Sequence, residues 1–238
     1  MSEAKVWKAV AFIEFSIAIG FVYMFTISSV KTESNRRLSS LSADSSVNMV
    51  NNHKKTRQIL VDLGANCGNS YEFFKHDVNE FYLIEPQTAV FTKWLVPRAS
   101  STVHVFNAAV SDHDEENVPF FVDSPFASDL CTFDSGYPHG ASSLNSVSAT
   151  VDGAAPTQQG VQLIDIARFL RETVGARVED YVILKVDIEG GEEKVLRRLM
   201  SENLLYLPDR LLVEWHPSTL AFQREFESSI FSYEQWKL

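Results

Sequence analysis

Short apolar runs recur along this chain, and most of them lead through a tight or polar turn into an amphipathic segment. Ile59 to Leu63 is apolar except for Asp62 and passes at once into Gly64-Ala-Asn-Cys-Gly68. The amphipathic stretch Tyr71 to His76 follows, so the order is strand, glycine turn, helix. Phe81 to Ile84 reads as a second buried strand, ending at Glu85. A helix over Thr88 to Leu95 stops before Pro97, and Thr102 to Phe106 is a third strand. Val118 to Val122 reads as an edge strand, because Pro119 has no N–H to donate to a central ladder. Val161 to Leu163 is a short strand, and Asp165 caps a helix over Ile166 to Val174.

Tyr181 to Val186 is a buried strand by composition, with Lys185 as its odd member. The helix after it carries Glu192 and Glu193 in its first turn and Arg197 and Arg198 in its last, which suits the helix dipole at both ends. Leu211 to Pro217 reads as a fifth strand that ends in polar residues, Glu214 and His216. Ala221 to Ser229 looks helical, and Ile230 to Trp236 offers one further short strand. Strands alternating with helices in this way predict an α/β fold with a mainly parallel, doubly wound sheet.

The ends depart from that rhythm. Ala9 to Val30 is an almost unbroken apolar run, long enough to span a bilayer core as a helix. A cleaved signal peptide is the other reading, but no small-x-small site precedes a polar start. Residues 31–57 are rich in Ser, Asn and charge, and cannot bury enough surface to offset their ordering entropy. The layout expected is a short tail (1–8), a signal anchor (9–30), a flexible stem (31–57) and a catalytic domain (58–238). This resembles single-pass enzymes of the Golgi or another secretory membrane. Lys5 and Lys8 before the span and Lys31, Arg36 and Arg37 after it leave the orientation open. Asp123 to Gln159 is a long Ser-, Gly-, Ala- and Pro-rich segment, read either as part of a substrate lid or as a surface insertion.

The formal charge of −10 and pI near 5.1 argue against a nucleic-acid partner, since no basic stripe would release counterions. Two cysteines, Cys67 and Cys131, do not make a disulfide scaffold, and Cys67 reads as a small filler in the glycine turn.

Four apolar strands end at Asp62, Glu85, Asp187 and Glu214. In an open α/β sheet those ends form the ligand crevice. Caps on following helices explain one or two such acids, but not all four. Glu85 stands where a carboxylate accepts both hydroxyl hydrogens of a ribose. The spacing Asp62-x-Gly64-x-x-x-Gly68, with Asn66 where a dinucleotide loop has glycine, argues against a pyrophosphate. Small residues after the third strand, Ala109 among them, leave room for a flat ring, and Asp112 suits an exocyclic amine. Asp187, Glu214 and His216 fall at the ends of the fourth and fifth strands. Carboxylate oxygens there suit Mg²⁺, with His216 as base. In the other version Lys185, on the same face as Asp187, supplies the positive charge without a metal.

Asp62-x-Gly-x-x-x-Gly68 resembles motif I of class I methyltransferases. Together with Ile84-Glu-Pro86, Ala108-Ala-Val-Ser-Asp112, Lys185-Val-Asp-Ile-Glu-Gly190 and Val213-Glu-Trp-His-Pro217 it resembles the FkbM family of S-adenosylmethionine-dependent methyltransferases. The resemblance implies a Rossmann-like class I methyltransferase fold and methyl transfer, usually to oxygen. It makes Asp62, Gly64, Asn66, Gly68, Glu85, Ala109 and Asp112 the cofactor set, and Asp187, His216 and Lys185 the catalytic set. The acceptor expected is a small molecule, a lipid headgroup or a glycan. Class I methyltransferases close their sheet with two strands after the fifth, and Ser218 to Leu238 is too short for both. The C-terminal hairpin is therefore expected to be incomplete. A tethered binding protein that keeps the fold but not the chemistry is the alternative.

Overall fold

The computed structural model describes residues 57–122, 142–144 and 157–229, and the backbone of 24–26 and 234–236. Its strands in chain order are β1 (Met24–Thr26), β2 (Gln58–Leu63), β3 (Glu80–Ile84), β4 (Val103–Phe106), β5 (Ala108–Ser111), β6 (Glu115–Val122), β7 (Thr157–Asp165), β8 (Tyr181–Val186), β9 (Arg210–Glu214) and β10 (Glu234–Trp236). Helices are α1 (Asn69–Phe74), α2 (Thr88–Val90, running on as a wider turn over Phe91–Leu95), α3 (Ile166–Arg168, likewise continued over Phe169–Thr173), α4 (Glu192–Ser201) and α5 (Leu220–Ser229).

The large sheet has seven strands in the order β10-β1-β9-β8-β2-β3-β4. Five of them, β9, β8, β2, β3 and β4, run parallel. The fold is thus the α/β, Rossmann-like arrangement expected. Period-two alternation covers both faces. Ile59, Val61 and Leu63 of β2 join Val182, Leu184 and Val186 of β8 on one face, against Phe169, Leu196, Phe222 and Phe226. Leu60, Leu83, Ile183 and Leu212 face the other way, against Phe74 and Leu95. Asp165 does cap α3, accepting from the backbone N–H of Ala167 at 2.7 Å and of Arg168 at 3.1 Å.

The structure corrects the sequence reading in three places. The sheet is closed beyond β9. β1 pairs antiparallel with β9 (Met24 opposite Glu214), and β10 pairs antiparallel with β1 (Met24 opposite Trp236). The expected gap is filled from the N-terminal side of the chain, a long-range pairing that local pattern cannot reveal. Met24–Thr26 also lies inside the segment read as membrane-spanning; the rest of residues 9–30, and the stem up to residue 56, lie outside the described residues. Among the described residues no helix is long and apolar enough to cross a membrane. Next, Ala108–Ser111, read only as small residues following the third strand, is itself a strand. It belongs to a separate sheet ordered β5-β7-β6, with β6 at the edge as Pro119 requires. Finally, Cys67 is disulfide-bonded, so it is no simple filler. The chain's one other cysteine, Cys131, lies outside the described residues.

Candidate active site

β2 delivers Asp62 to the crevice at the carboxyl end of the sheet, where the chain turns through Gly64 and Gly68 at φ +82° and +84°. A Cβ on Gly64 would stand 1.8 Å from the Asp187 carbonyl oxygen. Glycine here is required by the close approach of the turns after β2 and β8, before any ligand is considered. Asp62 is fully buried, and neither carboxylate oxygen receives a hydrogen bond. Lys185 Nζ stands 3.3 Å from Asp62 Oδ1 as an ion pair and 2.8 Å from Asp187 Oδ2. Burial pushes Asp62 above the usual carboxylate range. Burial acts on Asp187 in the same sense, but the Lys185 charge wins and holds it below.

β3 delivers Glu85. Its Oε2 accepts the Asn66 N–H at 2.9 Å and its Oε1 the Gln87 N–H at 2.7 Å. Burial still pushes its carboxyl up to about 7 against those two donors. Asn66 donates from a left-handed backbone, φ +46°, which presents its amide to Glu85. Asn107, directly after β4, donates to the carbonyls of Glu85 and Pro86 and accepts from Thr88 Oγ1 at 3.0 Å. Asn107 was not singled out from sequence, although its place at the end of the third parallel strand was a usable signal.

Ala109 and Asp112 are not brought into this group. Ala109 packs with Phe120, Val122, Val161 and Leu163 in the small sheet's core. Asp112 bonds Ser111 and His113, and those hydrogen bonds, outweighing partial burial, hold it below its usual range.

Around the ends of β8 and β9 the acids gather on His216. Its Nδ1 lies 2.9 Å from Glu192 Oε1, and its Nε2 lies 3.2 Å from Glu189 Oε2 and 3.9 Å from Asp187 Oδ1. Burial opposes the charge on His216, but the hydrogen bonds to Glu189 and Glu192 push it up to about 11. It is therefore an imidazolium at neutral pH. Glu214 is raised to about 7 by burial and by the charge of Asp187. One potential ligand atom each from Asp187, Glu214 and His216 lies within 4.8 Å of the others, close enough to hold a metal ion. An imidazolium has no lone pair to offer, so a metal would first have to displace the His216 proton.

Ser143, from the segment read as a lid or insertion, is buried here. Its backbone pairs with Phe121 and its Oγ donates to the Glu189 carbonyl at 2.7 Å. Ser142 Oγ lies 3.4 Å from Gln87 Oε1. The rest of that segment up to Pro156 lies outside the described residues.

With Asp62, Glu85, Lys185 and Asp187 thus placed on adjacent parallel strands, comparison with protein families matches residues 62–234 to the methyltransferase FkbM domain. The chain belongs to that family. The match covers the FkbM domain from the end of β2 to the first residue of β10, so the whole candidate site lies inside it. Comparison with curated proteins and with solved structures gave no match. The family implies use of S-adenosylmethionine. Two of the buried acids at the strand ends, Asp62 beside Lys185 and Glu85 beside the Asn66 and Gln87 amides, are of the kind that suits a cationic group and a ribose.

Proposed function

We propose that this protein transfers a methyl group from S-adenosylmethionine to a hydroxyl of a small-molecule or glycan acceptor. The observation that carries the reading is Asp62: a fully buried carboxylate at the mouth of a glycine turn in this family, whose one cation, Lys185, stands 3.3 Å away and is shared with Asp187 at 2.8 Å. A buried carboxylate so incompletely paired is costly, and a cationic ligand completes it. When bound, the cofactor supplies an electrophilic methyl on a sulfonium. The chain's own residues do the rest. Asp62 and Glu85 hold and orient, and Lys185 keeps Asp187 ionised. Glu214, held near neutrality, accepts the acceptor's proton. His216 is already protonated and serves as a fixed positive charge rather than as the base.

This favours the lysine version over the Mg²⁺ version. Lys185 and His216 already place two positive charges beside Asp187, so turnover is expected to persist in a chelator. Loss of turnover with the chelator and its return with Mg²⁺ would reverse that choice. Calorimetric titration of the full chain with S-adenosylmethionine, followed by labelled-methyl transfer to extract acceptors, tests the main reading. Absence of binding defeats it. Binding without transfer on any extract supports instead a tethered protein that keeps the cofactor site without the chemistry.

The reading includes a secretory-pathway location with residues 9–30 as anchor. Their apolar length supports it, and so does the bonded state of Cys67, because disulfides persist in oxidising compartments. Met24–Thr26 cannot lie in a bilayer and in the sheet at once. Alkaline carbonate extraction decides: release of the uncleaved chain into the soluble fraction removes the anchor.

A further inference from the structure

Glu192 and Glu193 are neighbours in the first turn of α4, but they do different work. Glu193 reaches outward to Arg197 Nε at 2.8 Å, a surface pair of the usual kind. Glu192 is fully buried and turns back beneath the loop that joins β8 to α4. Its Oε1 accepts the N–H of Ile188 at 3.2 Å, the N–H of Gly190 at 3.1 Å and His216 Nδ1 at 2.9 Å. Its Oε2 accepts Thr219 Oγ1 at 3.2 Å. One carboxyl group therefore ties the loop after β8 to the loop after β9.

The consequence falls on His216. Its ring is fixed through Nδ1 at the back, so Nε2 is left facing Glu189 and Asp187 in the crevice. Glu189 can meet it there because its backbone is left-handed, φ +52°, in the same loop that Glu192 pins. An imidazole held by one nitrogen keeps its other nitrogen in one direction, and loss of such an outer partner costs function without touching the reacting groups.

We propose that Glu192 is a positioning residue that acts on methyl transfer through His216, aiming its Nε2 into the crevice. The proposal rests on the methyltransferase reading above. It differs from a capping role, in which Glu192 would serve only the fold of the α4 turn.

The test uses the full chain with Glu192→Ala, Glu192→Gln, His216→Ala and the Glu192→Ala/His216→Ala double variant. Glutamine keeps an acceptor oxygen for the ring, and its amide can face Thr219. Expected are unchanged S-adenosylmethionine affinity in all variants and a loss of about 10–100-fold in labelled-methyl turnover for Glu192→Ala. Most of that turnover should return in Glu192→Gln, and the double variant should be no slower than His216→Ala alone. A double variant slower by the product of the two single losses overturns the proposal, because Glu192 then acts by another route. Equal losses in Glu192→Gln and Glu192→Ala overturn it too. If the alanine variant does not fold, proton exchange at His216 Nδ1 in the wild type and in Glu192→Gln decides. Protection relative to exposed His76 is expected in both, and exchange as fast as that of His76 overturns the proposal. That measurement needs no acceptor, so it stands even if wild-type turnover is absent and the methyltransferase reading fails.

Discussion

Replacing Glu85 with glutamine removes a buried charge and keeps the side chain's shape. In the folded protein burial lifts the Glu85 carboxyl from 4.5 to about 7, and the group is 6% exposed. A rise of that size corresponds to about 3 kcal/mol between the two protonation states. The sign follows from the direction. The folded state holds the proton more tightly, so this contribution to stability is fully present below the unfolded value of 4.5. It is lost as pH rises through about 7. Glutamine cannot titrate and loses the effect. It has one acceptor for the two amides of Asn66 and Gln87, so it also carries a pH-independent cost of about 1–3 kcal/mol. Urea unfolding at about pH 4.5 and about pH 8, for both proteins, separates the two parts. The wild type is expected to lose about 3 kcal/mol more than the variant between those conditions. Glu214 is also raised to about 7, but it is present in both proteins and cancels in the comparison. Identical pH dependence in the two proteins would refute the reasoning. The variant should in addition bind S-adenosylmethionine more weakly, since one of its two acceptor oxygens is gone.

Gly64→Ala should destabilise the fold by about 3 kcal/mol or more even without ligand, since its Cβ would stand 1.8 Å from the Asp187 carbonyl at φ +82°; an unchanged melting temperature would contradict this. Glu214→Gln should abolish turnover and spare cofactor affinity, and wild-type turnover should rise as pH passes upward through about 7, where Glu214 loses its proton. A flat rate profile across that range would remove Glu214 as the base. Reduction of the Cys67 disulfide should lower the unfolding midpoint by the equivalent of about 2–4 kcal/mol, read by chemical denaturation with and without reductant.

The parallel core was legible because both of its faces are buried, which leaves short apolar runs ended by acids. The Tyr181–Val186 strand was read with its observed bounds, β2, β3 and β4 within a residue at either end, and β9 with its start within a residue but three residues too long. Lys185 and Asp187 were placed together by alternation, and they meet at 2.8 Å. The rest depended on long-range choices that no local pattern encodes. Ala108–Ser111 is buried because it pairs with β7, 54 residues further on where Ala108 faces Gln162. Nothing in Gly191-Glu-Glu193 tells which glutamate turns inward. The segment around His216 shows one acid, Glu214; the two that meet its ring, Glu189 and Glu192, come from the β8–α4 turn and the start of α4.

Arg57 fastens the end of the sheet that takes no part in the chemistry. Its guanidinium is clamped by Glu80 at 2.7 Å, by Asp180 at 3.3 Å and by the carbonyls of Val174 and Gly175. Glu80 and Asp180 stand at the amino ends of β3 and β8, the opposite end of the sheet from Asp62 and Asp187. One six-residue strand separates the clamp from the crevice, about 20 Å. Over that distance changes at the two ends add independently. The crevice is thus free to vary with its acceptor while the far ends of the same strands stay bolted together.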